Sequence, residues 1–274
     1  MNAVAKQVSA ATMTAHDAAS AAPSGRAGAN YSAEEWGLRV ELAAAYRLVD
    51  YFGWTELIYG HLTVRIPGEP ATFLINPYGL NYDEITASNL VRIDIDGNIV
   101  GDSNYPVNRA GFVIHSAVHM ARSLNKCVMH THTRSGMAIS ALAAGLQQVH
   151  MYSTGYYQRI AYHRYEGPSL DTDERERLLA DLGEHRAMIL RNHGLMTVGR
   201  TIPEAFIYLY RLERAAQVQL DAMAAGPVEL IPDEVASASA KGLDQFLELE
   251  DGVGELEFKA LLRKLDKVDD SYRS

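Results

Sequence analysis

A three-layer α/β domain with a mainly antiparallel central sheet is the architecture this sequence predicts, on three observations. A block of short β-rich runs fills residues 57–100, with turn-forming pairs between them. Segments of helical spacing lie on both sides of that block. The two textures interleave without a strict strand-helix-strand repeat, and no period of solenoid length recurs.

The elements follow in order. Residues 1–31 are mostly Ala, Ser, Thr and Gly, too poor in large apolar surface to offset the entropy of ordering, and read as a flexible arm. Residues 32–226 form the main domain and 227–274 a helical extension. Ser32-Ala33-Glu34-Glu35 predicts a capping box, followed by a helix with Leu38, Leu42, Ala45, Tyr46 and Val49 on one face, stopped by Gly53. Strands are expected over 57–66, 72–75 and 91–95, separated by Pro67-Gly68, Asn76-Pro77-Tyr78-Gly79 and Asp96-Gly97. Residues 110–125 return to helical spacing, 126–130 form a short buried strand, and 135–144 a further helix.

Residues 160–163 and 187–190 read as strands. Between them, Asp171, Thr172, Asp173 and Glu174 open a helix that Gly183 ends. Thr201-Ile202-Pro203-Glu204 predicts a second capping box on a long helix to about Ala225. Two shorter helical patterns, 243–249 and 255–268, carry both charge signs and could pack on a neighbour.

Composition bounds the function. The chain has 274 residues, 47% apolar, and 34 acidic against 25 basic side chains give a net charge of -9. Nucleic acid and anionic membrane surfaces are therefore poor partners. No run of eighteen or more apolar residues would span a bilayer, and the first thirty residues lack a charged start followed by an apolar block. A single cysteine, Cys127, permits no internal disulfide, and a cytoplasmic location is expected. A glycine-rich dinucleotide fingerprint and a Walker-type loop are both absent, so neither a nicotinamide nor an ATP reading has support.

The sharpest constellation is His130-Thr131-His132 with Asn192-His193-Gly194. Alternate residues of a strand share a face, so His130 and His132 can address one point, and His193 from a separate strand end can complete a facial set. Three neutral imidazoles suit zinc, iron, manganese or cobalt and leave positions open for water or substrate. Spacing alone leaves open an ordinary half-buried pair of histidines with Asn-His-Gly as a turn. His115 and His119, one helical turn apart and followed by Arg122, lack the glutamate of a His-Glu-x-x-His site. They read as a hydrogen-bonded polar face, with proton transfer by His115 the functional competitor. Asn76, Gly79 and His61, in or beside turn-like segments, are candidates for lining a substrate pocket, although turn formation equally explains the neighbouring glycines.

With these residues quoted, the chain resembles the class II aldolase/adducin family from about Ser32 to Pro227, and its adducin-head branch most. The likeness rests, in order, on Phe73-Leu74-Ile75-Asn76-Pro77-Tyr78-Gly79-Leu80, Glu84-Ile85-Thr86-Ala87-Ser88, Asn108-Arg109-Ala110-Gly111-Phe112-Val113-Ile114-His115-Ser116-Ala117, His130-Thr131-His132-Thr133 and Leu190-Arg191-Asn192-His193-Gly194-Leu195. The resemblance implies a three-layer α/β/α fold, a homotetramer with active sites between subunits, and zinc or a related ion on His130, His132 and His193.

It also implies a departure. The family's acid/base glutamate corresponds to Gly111, and the two serines before it, which help hold phosphate, correspond to Arg109 and Ala110. Gly111 can remove no proton, so the family's aldol assignment does not carry over. The guanidinium of Arg109 matches a carboxylate, which favours an acidic, non-phosphorylated substrate. Loss of carbon dioxide from a keto acid needs no base at position 111. The leading expectation is thus a metal-dependent carbon-carbon lyase, aldolase-like or decarboxylase-like, with His115 and Arg109 as catalytic candidates. The alternatives are a non-catalytic assembly module like the adducin head and a ferrous-iron oxygenase.

Overall fold

Ser32 starts the first helix through its hydroxyl: Oγ accepts from the Glu35 amide at 3.1 Å, and α1 runs Ala33–Tyr51. The computed structural model describes residues 31–69, 72–167, 174–248 and 252–274. Residues 1–30 of the expected arm lie outside the described residues, as do Asp171, Thr172 and Asp173 of the expected acidic helix start. The Tyr31 ring stacks on that of Trp36 and lies 3.8 Å from the Arg39 guanidinium carbon.

After α1 come β1 (His61–Arg65), β2 (Thr72–Ile75), β3 (Val91–Asp94) and α2 (Arg109–Ala121). Then follow β4 (Cys127–Thr131), α3 (Arg134–Ala141), a four-residue α4 (Met151–Thr154) and β5 (Ile160–His163). The chain continues through α5 (Glu174–Leu182), β6 (Ala187–Leu190), β7 (Gly194–Gly199) and α6 (Ile202–Ala225), and closes with α7 (Asp233–Glu248) and α8 (Glu255–Leu265). Among the described residues the seven strands form one sheet in the order β3-β2-β1-β4-β7-β6-β5. Only the β5–β6 pair is parallel. The expected α/β class with a mainly antiparallel sheet is the observed one.

Alternation along the strands sorts side chains into two layers. Leu62, Val64, Leu74, Cys127, Met129, Ile189 and Leu195 face a core shared with α1, α3, α6 and α8. Val128, Met188, Met196 and Val198 face the other way, against Ile114 and Val118 of α2 and Leu178 and Leu182 of α5. The period of two therefore puts His61 and Thr63 of β1 and His130 of β4 on the α2 side. His61 and His130 are direct cross-strand partners.

Several boundaries differ from expectation, each for a local reason. β1 begins at His61 instead of 57 because Leu57 and Gly60 have φ of +51° and +88°, outside the extended region. α2 stops at Ala121, and the Asn125 side chain turns back to donate to the Val118 carbonyl at 2.9 Å. Neither expected capping box closes on its own cap. Glu35 pairs with Arg39 at 2.9 Å, and the Glu204 carboxylate accepts from the amide of Arg200. α8 packs on its own chain, with Phe258, Leu265 and the following Tyr272 buried in the core of α1 and α6.

Candidate metal centre

His130 is the penultimate residue of β4, His132 follows the strand at once, and Thr133 caps α3 by accepting from the Gly136 amide at 2.9 Å. The extended segment thus presents two rings to one point before the helix turns away. The third ring comes from the bend between β6 and β7. Asn192 there has φ of +55°, a left-handed conformation that asparagine tolerates. The amides of Asn192 and His193 donate to the Ser140 carbonyl at 3.2 Å and the Ser140 hydroxyl at 3.1 Å. A Cβ on Gly194 would lie 2.4 Å from the Thr131 carbonyl oxygen, so that position admits only glycine.

The outcome is convergence. His132 Nε2 lies 2.7 Å from His130 Nε2 and 2.9 Å from His193 Nε2. His130 Nδ1 lies 2.9 Å from the Leu195 carbonyl, which can only accept, so Nε2 of neutral His130 carries a lone pair. One imidazole nitrogen holds either one proton or one lone pair. His132 Nε2 therefore cannot form two hydrogen bonds to its two neighbours at once, whereas a cation accepts lone pairs from all three rings. The donor set fits a divalent ion, and the Leu195 carbonyl would orient one ligand in the usual manner.

Burial is the main cause that keeps these rings neutral. It depresses His130 well below the usual imidazole range, with the charges of His132 and His193 adding to the effect. His193 is lowered to about 4 by burial and then by His132. His132 is lowered by burial, against an opposing pull from Glu56. Beneath the site, Thr133 Oγ1 donates to the buried Glu213 carboxylate of α6 at 2.6 Å, and Ser135 donates to its other oxygen. Glu213 had no signal in the sequence beyond being an acid among Leu209, Leu212 and Ala216.

A second histidine group stands beside the first. His115 and His119 of α2 reach the same hydroxyl, Thr63 Oγ1, at 2.7 Å each, as the polar-face reading of this helix requires. The His61 ring lies 6.0 Å from that of His115, and both of its nitrogens are buried without a partner among the described residues. Burial, then the charge of His132, lowers His61 to about 4.

Asn76 is buried with its side-chain oxygen 2.9 Å from the Tyr46 hydroxyl. Gly79 sits in an exposed turn with φ of +107°. Arg109 is the first residue of α2, and its side chain lies outside the described residues. His163, on the expected strand, is a buried residue of β5, with Nδ1 2.7 Å from Asp181. Tyr165 just beyond it brings its ring to 6.1 Å from that of His193.

Residues 40–220 match the model of the class II aldolase and adducin N-terminal domain, which is most of the chain. The chain belongs to this family. Within the class II aldolase/adducin family it is 44% identical over 248 residues to a candidate class 2 aldolase of Pseudomonas aeruginosa, covering 89% of this chain and 95% of that one. It is 40% identical to rat alpha-adducin over 86% of this chain but only 34% of the adducin. An aldolase II superfamily protein from Pseudomonas syringae superposes with a TM-score of 0.82 at 46% identity, over 89% and 98% of the two chains. An L-fuculose 1-phosphate aldolase from Glaciozyma antarctica gives 0.78 at 32% identity, over 88% and 94%.

Proposed function

We propose that this chain is a metal-dependent carbon-carbon lyase, with His130, His132 and His193 as ligands and a small, carboxylate-bearing oxygenated molecule as substrate. The observation that carries the reading is the convergence of three imidazole nitrogens that hydrogen bonding cannot satisfy together. Zinc is the expected ion, with manganese, cobalt and iron acceptable to the same donors. Such an ion supplies Lewis-acid polarisation of a substrate carbonyl.

The chain's own residues do the rest. Arg109, at the start of α2, grips the substrate carboxylate through its guanidinium fork. His61, Asn76 and Gly79 contribute to the substrate side of the site. His115 moves the proton in place of the side chain missing at Gly111. In aldol cleavage a base takes the hydroxyl proton, the carbon-carbon bond breaks, its electrons remain on the carbonyl fragment as an enolate, an aldehyde leaves, and the proton is returned to the enolate carbon. In decarboxylation the same electrons form the enolate as carbon dioxide leaves, and water returns the proton. A homotetramer, with active sites between subunits, belongs to this reading, as does a cytoplasmic location.

The test is an assay of purified protein with 3-keto acids and hydroxy-keto acids. Metal-dependent turnover is expected, and substrate binding that survives Arg109→Ala undiminished would reject the carboxylate grip. The likeness to alpha-adducin and the absence of a side chain at Gly111 favour a second reading, an oligomerising module without chemistry. A folded chain that takes up no ion after metal supplementation would support it, and iron with oxygen uptake would instead support an oxygenase.

A further inference from the structure

His115 does not sit free on its helix. The Asn125 carbonyl lies 2.8 Å from His119 Nδ1, and a carbonyl only accepts, so Nδ1 carries the proton. His119 is buried with no carboxylate among its hydrogen-bond partners, and is neutral, leaving a lone pair on Nε2. Thr63 Oγ1, 2.7 Å from that nitrogen, must spend its single proton there. The same oxygen is 2.7 Å from His115 Nδ1 and can then only accept, so the proton of His115 is on Nδ1. What remains is His115 Nε2: a lone pair, buried and without a partner among the described residues, in a ring next to His61.

We propose that the Asn125 carbonyl, His119 and Thr63 form a fixed hydrogen-bond chain that holds His115 as its Nδ1–H tautomer, making it a resting proton acceptor. Thr63 and His119 are then positioning residues. The consequence for substrate class rests on the lyase reading above: a resting acceptor serves a substrate hydroxyl, whose proton it takes, and has no role in decarboxylation, where water returns the proton. The chain therefore favours a hydroxy-keto acid, cleaved in the aldol sense, over a simple keto acid. The hydroxyl proton passes to Nε2, the carbon-carbon bond breaks with its electrons on the carbonyl fragment as an enolate, the aldehyde departs, and the proton held on Nε2 then passes to the enolate carbon.

The tautomer can be read without any ligand, by imidazole ¹⁵N NMR on histidine-labelled protein. The expected spectrum shows His115 Nδ1 protonated and Nε2 bare, with the pattern lost in Thr63→Val, which keeps the shape without the hydroxyl, and kept in Thr63→Ser. A proton on Nε2 of the wild type overturns the chain whatever the activity. With a hydroxy-keto acid, Thr63→Val should lower kcat about tenfold or more with KM little changed, and Thr63→Ser should restore it. The expected tautomers with an unchanged kcat in Thr63→Val would reject the positioning role. If no substrate turns over, the lyase reading falls, and the NMR result still decides the chain.

Discussion

The imidazole of His61 occupies the space into which a side chain at position 111 would project: a Cβ on Gly111 would lie 2.3 Å from His61 Nδ1. The ring and the glycine are therefore one unit, and no side chain can be added at Gly111 while His61 keeps its rotamer.

Gly111→Glu alone should destabilise the protein by about 1–3 kcal/mol through overpacking. In the His61→Ala background the same change should cost much less. A double-mutant cycle by urea unfolding measures the coupling. Additive effects would show that the ring moves aside freely.

Acid should weaken the fold before carboxylates titrate. Burial lowers His119 from 6.5 to about 3, so the unfolded chain binds its proton more readily than the folded one. Its contribution is complete above 6.5 and is lost as pH falls toward about 3. Between pH 6.5 and 5 that amounts to about 2 kcal/mol. Urea midpoints should fall over this range in the wild type and fall less steeply in His119→Gln.

The sequence carried the recurrent parts of this architecture and missed its exceptions. The β5 and β6 strands and the α6 start were legible because short apolar runs and a Thr-x-Pro-Glu cap leave few alternatives. β7 gives no alternating signal: its Leu195-Met196-Thr197-Val198 run is buried on both faces. α4, at four residues, is too short for periodicity to register. The spacing of His130 and His132 made a shared face legible, and Asn192-His193-Gly194 named the third ring. Nothing local could announce that Thr63, fifty-two residues from His115, would bridge two histidines. That contact depends on the pairing of β1 with β4 and on α2 crossing their face.

Arg39 is almost fully buried, with Nε on Glu35 at 2.9 Å and Nη1 on the Leu90 carbonyl at 2.8 Å. Arg39→Ala should cost about 3–5 kcal/mol because it leaves the buried Glu35 carboxylate with Arg92 alone, at 3.5 Å, and the Ala87 and Leu90 carbonyls without their donor. Arg273→Ala, which removes a partly exposed pair with Asp266, should cost about 1 kcal/mol or less. Equal losses in denaturant unfolding would contradict the burial argument.

Cys127 is buried in β4, and burial pushes its thiol well above the usual range. It should react with a thiol reagent only as the protein unfolds, at the rate that fluorescence reports for unfolding. Rapid labelling of the native protein would place β4 at the surface.

Metal content decides the central claim. Protein purified without chelator and supplemented with divalent ions should hold one tightly bound ion per chain. His132→Ala should lose that ion while its circular dichroism stays native. A wild-type chain that stays metal-free, or a His132→Ala chain that still holds its ion, would contradict the account.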